Sequence, residues 1–208
     1  MTLQINARHP RIQEHTKKKS RHRFTASDFW ALAECGVLDG QRVELILGKI
    51  VKMSALSMPH TLSVSSTRRI LTRVFGSGYW VTNEITLNLP KDSVFDPDIA
   101  VLRGEQHAWE GRSNPTTALL VVEVANTSVS LDRGRKLQVY AAAKIADYWI
   151  VNLKTRKLEV YRKPKADKSS RTGWSYGTVT MLTEKESIAP LAKPKSAVKV
   201  SDLLPRKS

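Results

Sequence analysis

The sequence predicts an α/β chain of mixed (α+β) order, with a mixed central sheet flanked by helices. Three observations carry this. Leu119-Leu120-Val121-Val122-Glu123-Val124 is the most apolar run in the chain, and such continuity marks a strand buried on both faces at the centre of a sheet. A helical segment over roughly 130–144 follows, with Leu131, Leu137, Tyr140 and Ala141 on it,. Asp147-Tyr148-Trp149-Ile150-Val151 then reads as a further strand,.

The remaining elements fall around that centre. Residues 1–23 form a basic arm containing Arg8, Arg11, Lys17, Lys18, Lys19, Arg21 and Arg23, and like-charged segments with little to bury are expected to be disordered. Thr25 caps a helix carrying Phe29, Leu32 and Ala33, which Gly36 ends,. Val43 to Val51 reads as two strands bent at Gly48, in a hairpin or a sharp bulge,. A second helix starts after Pro59, with Leu62, Ile70, Leu71, Val74 and Phe75 as its apolar stripe and Arg68, Arg69 and Arg73 near its polar side,.

Tyr79 to Leu89 reads as one strand, 90–95 as a turn, and 98–102 as a short strand,. Ser130 is the expected N-cap of the helix after the central strand,. Lys157 to Tyr161 pairs back onto the strand before it, 163–175 reads as a mobile loop, and 176–183 adds an edge strand,. The organisation expected is therefore an arm over 1–23, one domain over 24–189, and a loosely held, basic Lys/Pro-rich tail over 190–208,.

Composition narrows the partners. A hydrophobic content of 41% is enough for a packed core,. Lys and Arg number 34 against 19 Asp and Glu, a formal charge of +15. That surface attracts polyanions, with nucleic acid as the expected partner and an anionic membrane surface as its competitor. A basic protein with no specific polyanion partner fits the same count. Cys35 is the lone cysteine, which rules out an intrachain disulfide and a Cys-rich zinc site and suits a reducing compartment. No segment is apolar enough to span a bilayer, so the chain reads as cytoplasmic.

Glu123 is the chemical anomaly. A carboxylate inside Leu-Leu-Val-Val-Glu-Val costs several kcal/mol, as an order of magnitude, unless it is paired or reaches water,. Exposure at a strand end, a buried Arg or Lys, or a metal would each account for it. Asp98 follows Pro97 and opens the apolar strand Ile99-Ala100-Val101-Leu102,. If the two strands are neighbours, both carboxylates face one hard cation such as Mg²⁺ (or Mn²⁺), which takes one or two protein carboxylates plus substrate phosphates. Hydrolysis of a phosphodiester needs that arrangement, with a lysine to offset charge at the scissile phosphate. Ala125 shares a strand face with Glu123 but can do no chemistry,. Lys136, on the next helix, is the substitute, although spacing alone favours a helix-surface ion pair with Asp132,.

Several segments together resemble the bacterial Uma-two family of the restriction-endonuclease-like PD-(D/E)XK superfamily. They are Arg42-Val43-Glu44-Leu45-Ile46, Gly48, Met53-Ser54, His60, Pro97-Asp98, Val121-Val122-Glu123-Val124, Asp132, Lys136, Tyr140 and Tyr148-Trp149-Ile150-Val151. The resemblance runs from about Phe24 to Tyr161. It implies a restriction-endonuclease-like core with Asp98 and Glu123 as metal ligands, and a lysine moved from strand to helix, which selects Lys136. Glu44 matches a further acidic position, and His60 a histidine for which a phosphate contact or a supporting role follows. A helix-start histidine packed against solvent fits His60 equally well. Leu47 and Lys49 stand where the family usually has acids, and Asn126-Thr127-Ser128-Val129 replaces its usual Ser-Pro.

The expected function is a metal-dependent endonuclease that hydrolyses DNA, with catalytic Asp98, Glu123, Lys136 and Glu44 and with the arm, His60, Arg68, Arg69 and Arg73 at the nucleic acid,. The alternative is a catalytically inactive nucleic-acid-binding or protein-interaction module on the same fold. A homodimer would suit a double-strand cutter, though no residue pattern demonstrates one.

Overall fold

The structure, a computed structural model, describes residues 22–206. Apart from His22 and Arg23, the basic arm expected at the N-terminus lies outside the described residues. The first helix is α1 (Ala26–Glu34), whose start is a reciprocal capping box between Thr25 and Asp28,. β1 (Val43–Ile46) and β2 (Lys49–Lys52) form an antiparallel hairpin. Leu47 and Gly48 make its two-residue turn with φ of 52° and 74°, the left-handed geometry that matches strand twist. The hairpin alternative is therefore the one observed.

α2 (Met58–Phe75) follows, and then β3 (Tyr79–Thr82), β4 (Leu87–Leu89), β5 (Ser93–Phe95) and β6 (Ile99–Arg103). β7 (Leu120–Ala125) is the apolar run. α3 (Val129–Leu131), a π-helical turn (Asp132–Lys136) and α4 (Leu137–Ala142) continue one into the next. β8 (Asp147–Asn152), β9 (Lys157–Ala166), β10 (Trp174–Thr183), β11 (Ser187–Ile188), β12 (Val198–Lys199) and α5 (Val200–Leu203) complete the order.

The central sheet runs β10-β9-β8-β7-β6-β3. It is mixed, with β7 parallel to β8 and antiparallel to β6. A second sheet runs β2-β1-β5-β4. Strand alternation divides the core. Ala100, Leu102, Val121, Ala125, Tyr148 and Ile150 face one side with α4 residues and with Ile46 and Phe95 of the second sheet. Ile99, Val101, Leu120, Val122, Val124, Trp149 and Val151 face the other, against Leu71 and Phe75 of α2 and the C-terminal segment. Among the described residues no helix is long and apolar enough to cross a membrane.

The sequence expectations need six corrections. Tyr79 to Leu89 is two strands in two sheets, because the chain bends after Thr82, whose Oγ1 accepts the Glu84 backbone N–H at 3.0 Å. The turn expected over 90–95 covers only 90–92, where Lys91 and Asp92 are left-handed, and Ser93–Phe95 is a strand paired with β4.

In α2 the buried face is Ser63, Thr67, Leu71 and Phe75 at four-residue spacing, and Leu62 is 50% exposed. Ser63 is small because α5 packs there, and its Oγ donates to the Leu203 carbonyl at 2.6 Å. The helix after β7 begins at Val129, after Ser128 and not after Ser130. The loop expected over 163–175 is shorter, covering 167–173, since β9 runs to Ala166 and pairs with β10 from Trp174. β10 is the edge strand expected. Finally, the segment from Pro190 is not loose, because Val198, Val200, Leu203 and Leu204 are buried in the core.

Candidate active site

β6 and β7 set the two carboxylates side by side. Ile99 pairs with Val122 and Ala100 with Val121, so one further step of that antiparallel register puts Asp98 opposite Glu123. Asp98 alternates with Ile99 onto the face of Ala100, and Glu123 shares the face of Val121 and Ala125,. Both therefore point toward the helical segment that follows β7. Asp98 Oδ2 accepts the Val124 backbone N–H at 2.8 Å and His60 Nε2 at 3.1 Å. The Asp98 side chain is 19% exposed, whereas Glu123 is 4% exposed.

Lys136 reaches this pair from the π-helical turn. Its Nζ lies 2.8 Å from Glu123 Oε1 and 3.0 Å from Glu44 Oε1. Tyr140, one helical turn further on, donates its hydroxyl to the same Glu123 oxygen at 2.6 Å. The helix-surface ion pair expected between Lys136 and Asp132 is overturned. The widened turn breaks the regular four-residue register, Lys136 is 1% exposed, and its nitrogen contacts Glu44 and Glu123. Asp132 is buried too, accepts from Ser128 Oγ at 2.7 Å, and acts on Lys136 through space.

The β1–β2 hairpin supplies Glu44. It shares a strand face with Ile46, which belongs to the core under the helical segment,. Its Oε1 also accepts the Asp96 backbone N–H at 3.2 Å, while its Oε2 is buried with no hydrogen-bond partner. His60 sits in the first turn of α2, just after Pro59. Its Nε2 faces Asp98 and its Nδ1 is buried and unpartnered. Arg68, Arg69 and Arg73 are exposed further along α2, about 12–20 Å along the helix axis from His60 at 1.5 Å per residue. They do not join the carboxylates.

Electrostatics show what the cluster lacks. Burial pushes the Glu123 carboxyl up to about 8 against the pull of Lys136, and Asp132, Asp98 and Glu44 add to the rise. Burial also raises Glu44 and Asp132, again opposed by Lys136. Burial alone would lower Lys136, but Glu123, Glu44 and Asp132 outweigh it and hold its ammonium charged. One ammonium thus faces three carboxyl groups, each raised by burial, and a second cation beside them would favour their ionised forms.

A hard divalent cation fits such an all-oxygen set, and the unpartnered Glu44 Oε2 leaves a further acceptor beside it,. Among the described residues no three His, Cys, Asp or Glu side chains converge closely enough to enclose a metal alone. Mg²⁺ does not require that, because it keeps several waters and binds through one or two carboxylates with substrate phosphates.

A cleft of about 450 Å³ opens onto this group. Glu44, His60, Asp96, Asp98, Asp132 and Lys136 line it, together with residues 52–57 and 126–128. Glu123 does not line the cleft. Lys136, which does, caps it through the ion pair.

The family model Uma2, described as "Putative restriction endonuclease", matches residues 27–191. The chain belongs to the Uma2 family. The Uma2 match spans every carboxylate of the cluster together with His60, Lys136 and Tyr140. Among solved structures, the Uma2 fold is shared by a protein of Anabaena variabilis described as a "putative nuclease", with a TM-score of 0.62. The two are 17% identical, and the alignment covers 86% of this chain and 97% of that one. No curated protein matches the chain.

Two members of the cluster escape a reading of the Uma2 sequence by pattern. Asp132 reads as a surface partner and is a third buried carboxylate. Tyr140 looked like helix core and is the second donor to Glu123. The signal for both was their spacing around Lys136, four residues to either side.

Proposed function

We propose that this Uma2 chain is a divalent-cation-dependent endonuclease that hydrolyses phosphodiester bonds in DNA. The observation that carries the reading is the pairing of Asp98 and Glu123 across adjacent strands, with Lys136 bonded to the second of them. Asp98 and Glu123 would hold the cation, Mg²⁺ or Mn²⁺, with Glu44 close by. When bound, that ion supplies the positive charge that activates water and screens the phosphate in the transition state.

The chain's own residues do the rest. His60 and the Val124 N–H fix Asp98 through Oδ2. Tyr140 and Lys136 both engage Glu123 through Oε1. Lys136 lines the cleft, where its ammonium offsets charge on an entering phosphate,. Glu44 anchors that ammonium from the other side.

Plasmid cleavage with Mg²⁺, with Mn²⁺ and with chelator tests the reading. Metal-dependent cleavage is expected, lost in both Asp98→Ala and Glu123→Gln, with thermal melting run to confirm that each variant folds. Cleavage that persists in both variants overturns it. The capping of Glu123 by Lys136 favours a second reading, a catalytically silent nucleic-acid-binding module. Its signature is salt-sensitive DNA binding by the wild type with no cleavage under either metal.

A further inference from the structure

Three concavities are linked in turn by shared lining residues. Leu131 lines both the acidic cleft and a small hollow beyond the π-helical turn. Arg135 and Arg171 line both that hollow and a larger cavity of about 560 Å³. The larger cavity sits against the two left-handed turns, at Leu47 and at Lys91-Asp92. Its charged lining is Arg23, Lys49, Lys91, Arg135 and Arg171 against the single acid Asp92. Among the described residues none of these five cations is in an ion pair. Arg23 Nη1 donates to the Leu47 carbonyl, which fixes its head over the turn.

The π-helical turn joins the two ends of this path. It directs Lys136 inward, buried among the carboxylates, and its neighbour Arg135 outward, exposed. A path that begins at a candidate hydrolytic centre and continues over a run of unpaired cations suits a ligand whose charge repeats along its length. We infer that this path is the track for a phosphodiester backbone, so that nucleic acid engaged at the cleft continues over Arg135 and Arg171 to Lys91 and Lys49. The inference rests on the nucleic-acid reading of the cleft. It assigns the duplex to this path and not to the arginine face of α2. Phosphate contacts of this kind position the strand and carry no sequence preference.

The test is binding of a short fluorescent DNA duplex to the full chain in chelator, where no cleavage interferes, across a salt series. One variant combines Lys91→Gln, Arg135→Gln and Arg171→Gln. Its control combines Arg68→Gln, Arg69→Gln and Arg73→Gln, and so removes the same charge from α2. All six side chains are exposed, and melting curves confirm folding.

The track variant is expected to lose affinity tenfold or more. Its salt slope should fall by about 2.7, at about 0.9 per lost phosphate contact. The control should keep the wild-type slope. Equal losses in both variants overturn the inference, since they would reflect net charge alone. Wild-type protein that binds phosphatidylserine vesicles but no duplex overturns it as well. Absence of cleavage in the plasmid assay bears on the proposed reaction and leaves this binding result standing.

Discussion

Lys136 decides whether the carboxylate cluster is tolerable inside the fold. It is 1% exposed and is bonded to Glu123 and Glu44, both nearly as buried. Removing one partner of a buried ionic group strands the others, at a cost of about 3–5 kcal/mol. Lys136→Met should therefore destabilise the chain by that amount in urea unfolding, although it preserves side-chain volume. Adding Glu44→Gln to Lys136→Met should return part of the loss, because one stranded carboxylate is gone. A loss below about 1 kcal/mol for Lys136→Met alone, less than the usual cost of a stranded buried charge, would mean that the ammonium does not hold these groups. Glu123 and Glu44, both raised by burial, would then be held in the fold as neutral carboxyls,.

Between elements, Arg133 ties the π-helical turn to the central sheet. Glu159, fully buried on β9, accepts Arg133 Nε and Nη2 at 2.7 Å each, Tyr161 Oη at 2.9 Å and Asn152 Nδ2 at 3.1 Å. Burial would raise its carboxyl, but the hydrogen bonds from Arg133, Asn152 and Tyr161 outweigh burial and hold it below its ordinary 4.5. A depressed folded value means stability that is complete above the unfolded value and lost as pH falls through the folded one. The advantage of wild type over Glu159→Gln in melting temperature should thus shrink on acidification below about pH 4.5. A difference that stays constant down to about pH 3 would rule this coupling out.

The same elements show what the sequence could reveal. The continuous apolar run placed β7 at the sheet centre, and Gly48 marked the hairpin that delivers Glu44. The π-helical turn was invisible, because counting by regular helical periods assumes the register that this turn breaks. β5 is hidden because Pro90, Lys91 and Asp92 announce a turn so strongly that the pattern extends it over the three residues that follow,. In α2 the buried face carries Ser63 and Thr67, which no hydrophobic pattern can find; Ser63 bonds to α5, far along the chain.

At the scale of the whole molecule, the packed core extends past the region that the family match covers. That match ends at residue 191, yet Val198, Val200, Leu203 and Leu204 lie in the same buried cluster as Leu71 and Phe75 of α2. The C-terminal helix also accepts the hydrogen bond from Ser63, one turn beyond His60 on α2. The turn of α2 that presents His60 to Asp98 is therefore braced by residues near the end of the chain. Leu203 is fully buried, so Leu203→Ala should cost about 2–5 kcal/mol through lost transfer energy and the cavity left behind. The expected signature is a lower urea midpoint at an unchanged slope. A midpoint equal to wild type would show that the segment rests on the fold without supporting it. A fall in the midpoint with loss of the His60–Asp98 contact, read from the imidazole resonances in NMR, would place the C-terminal helix among the supports of the candidate site.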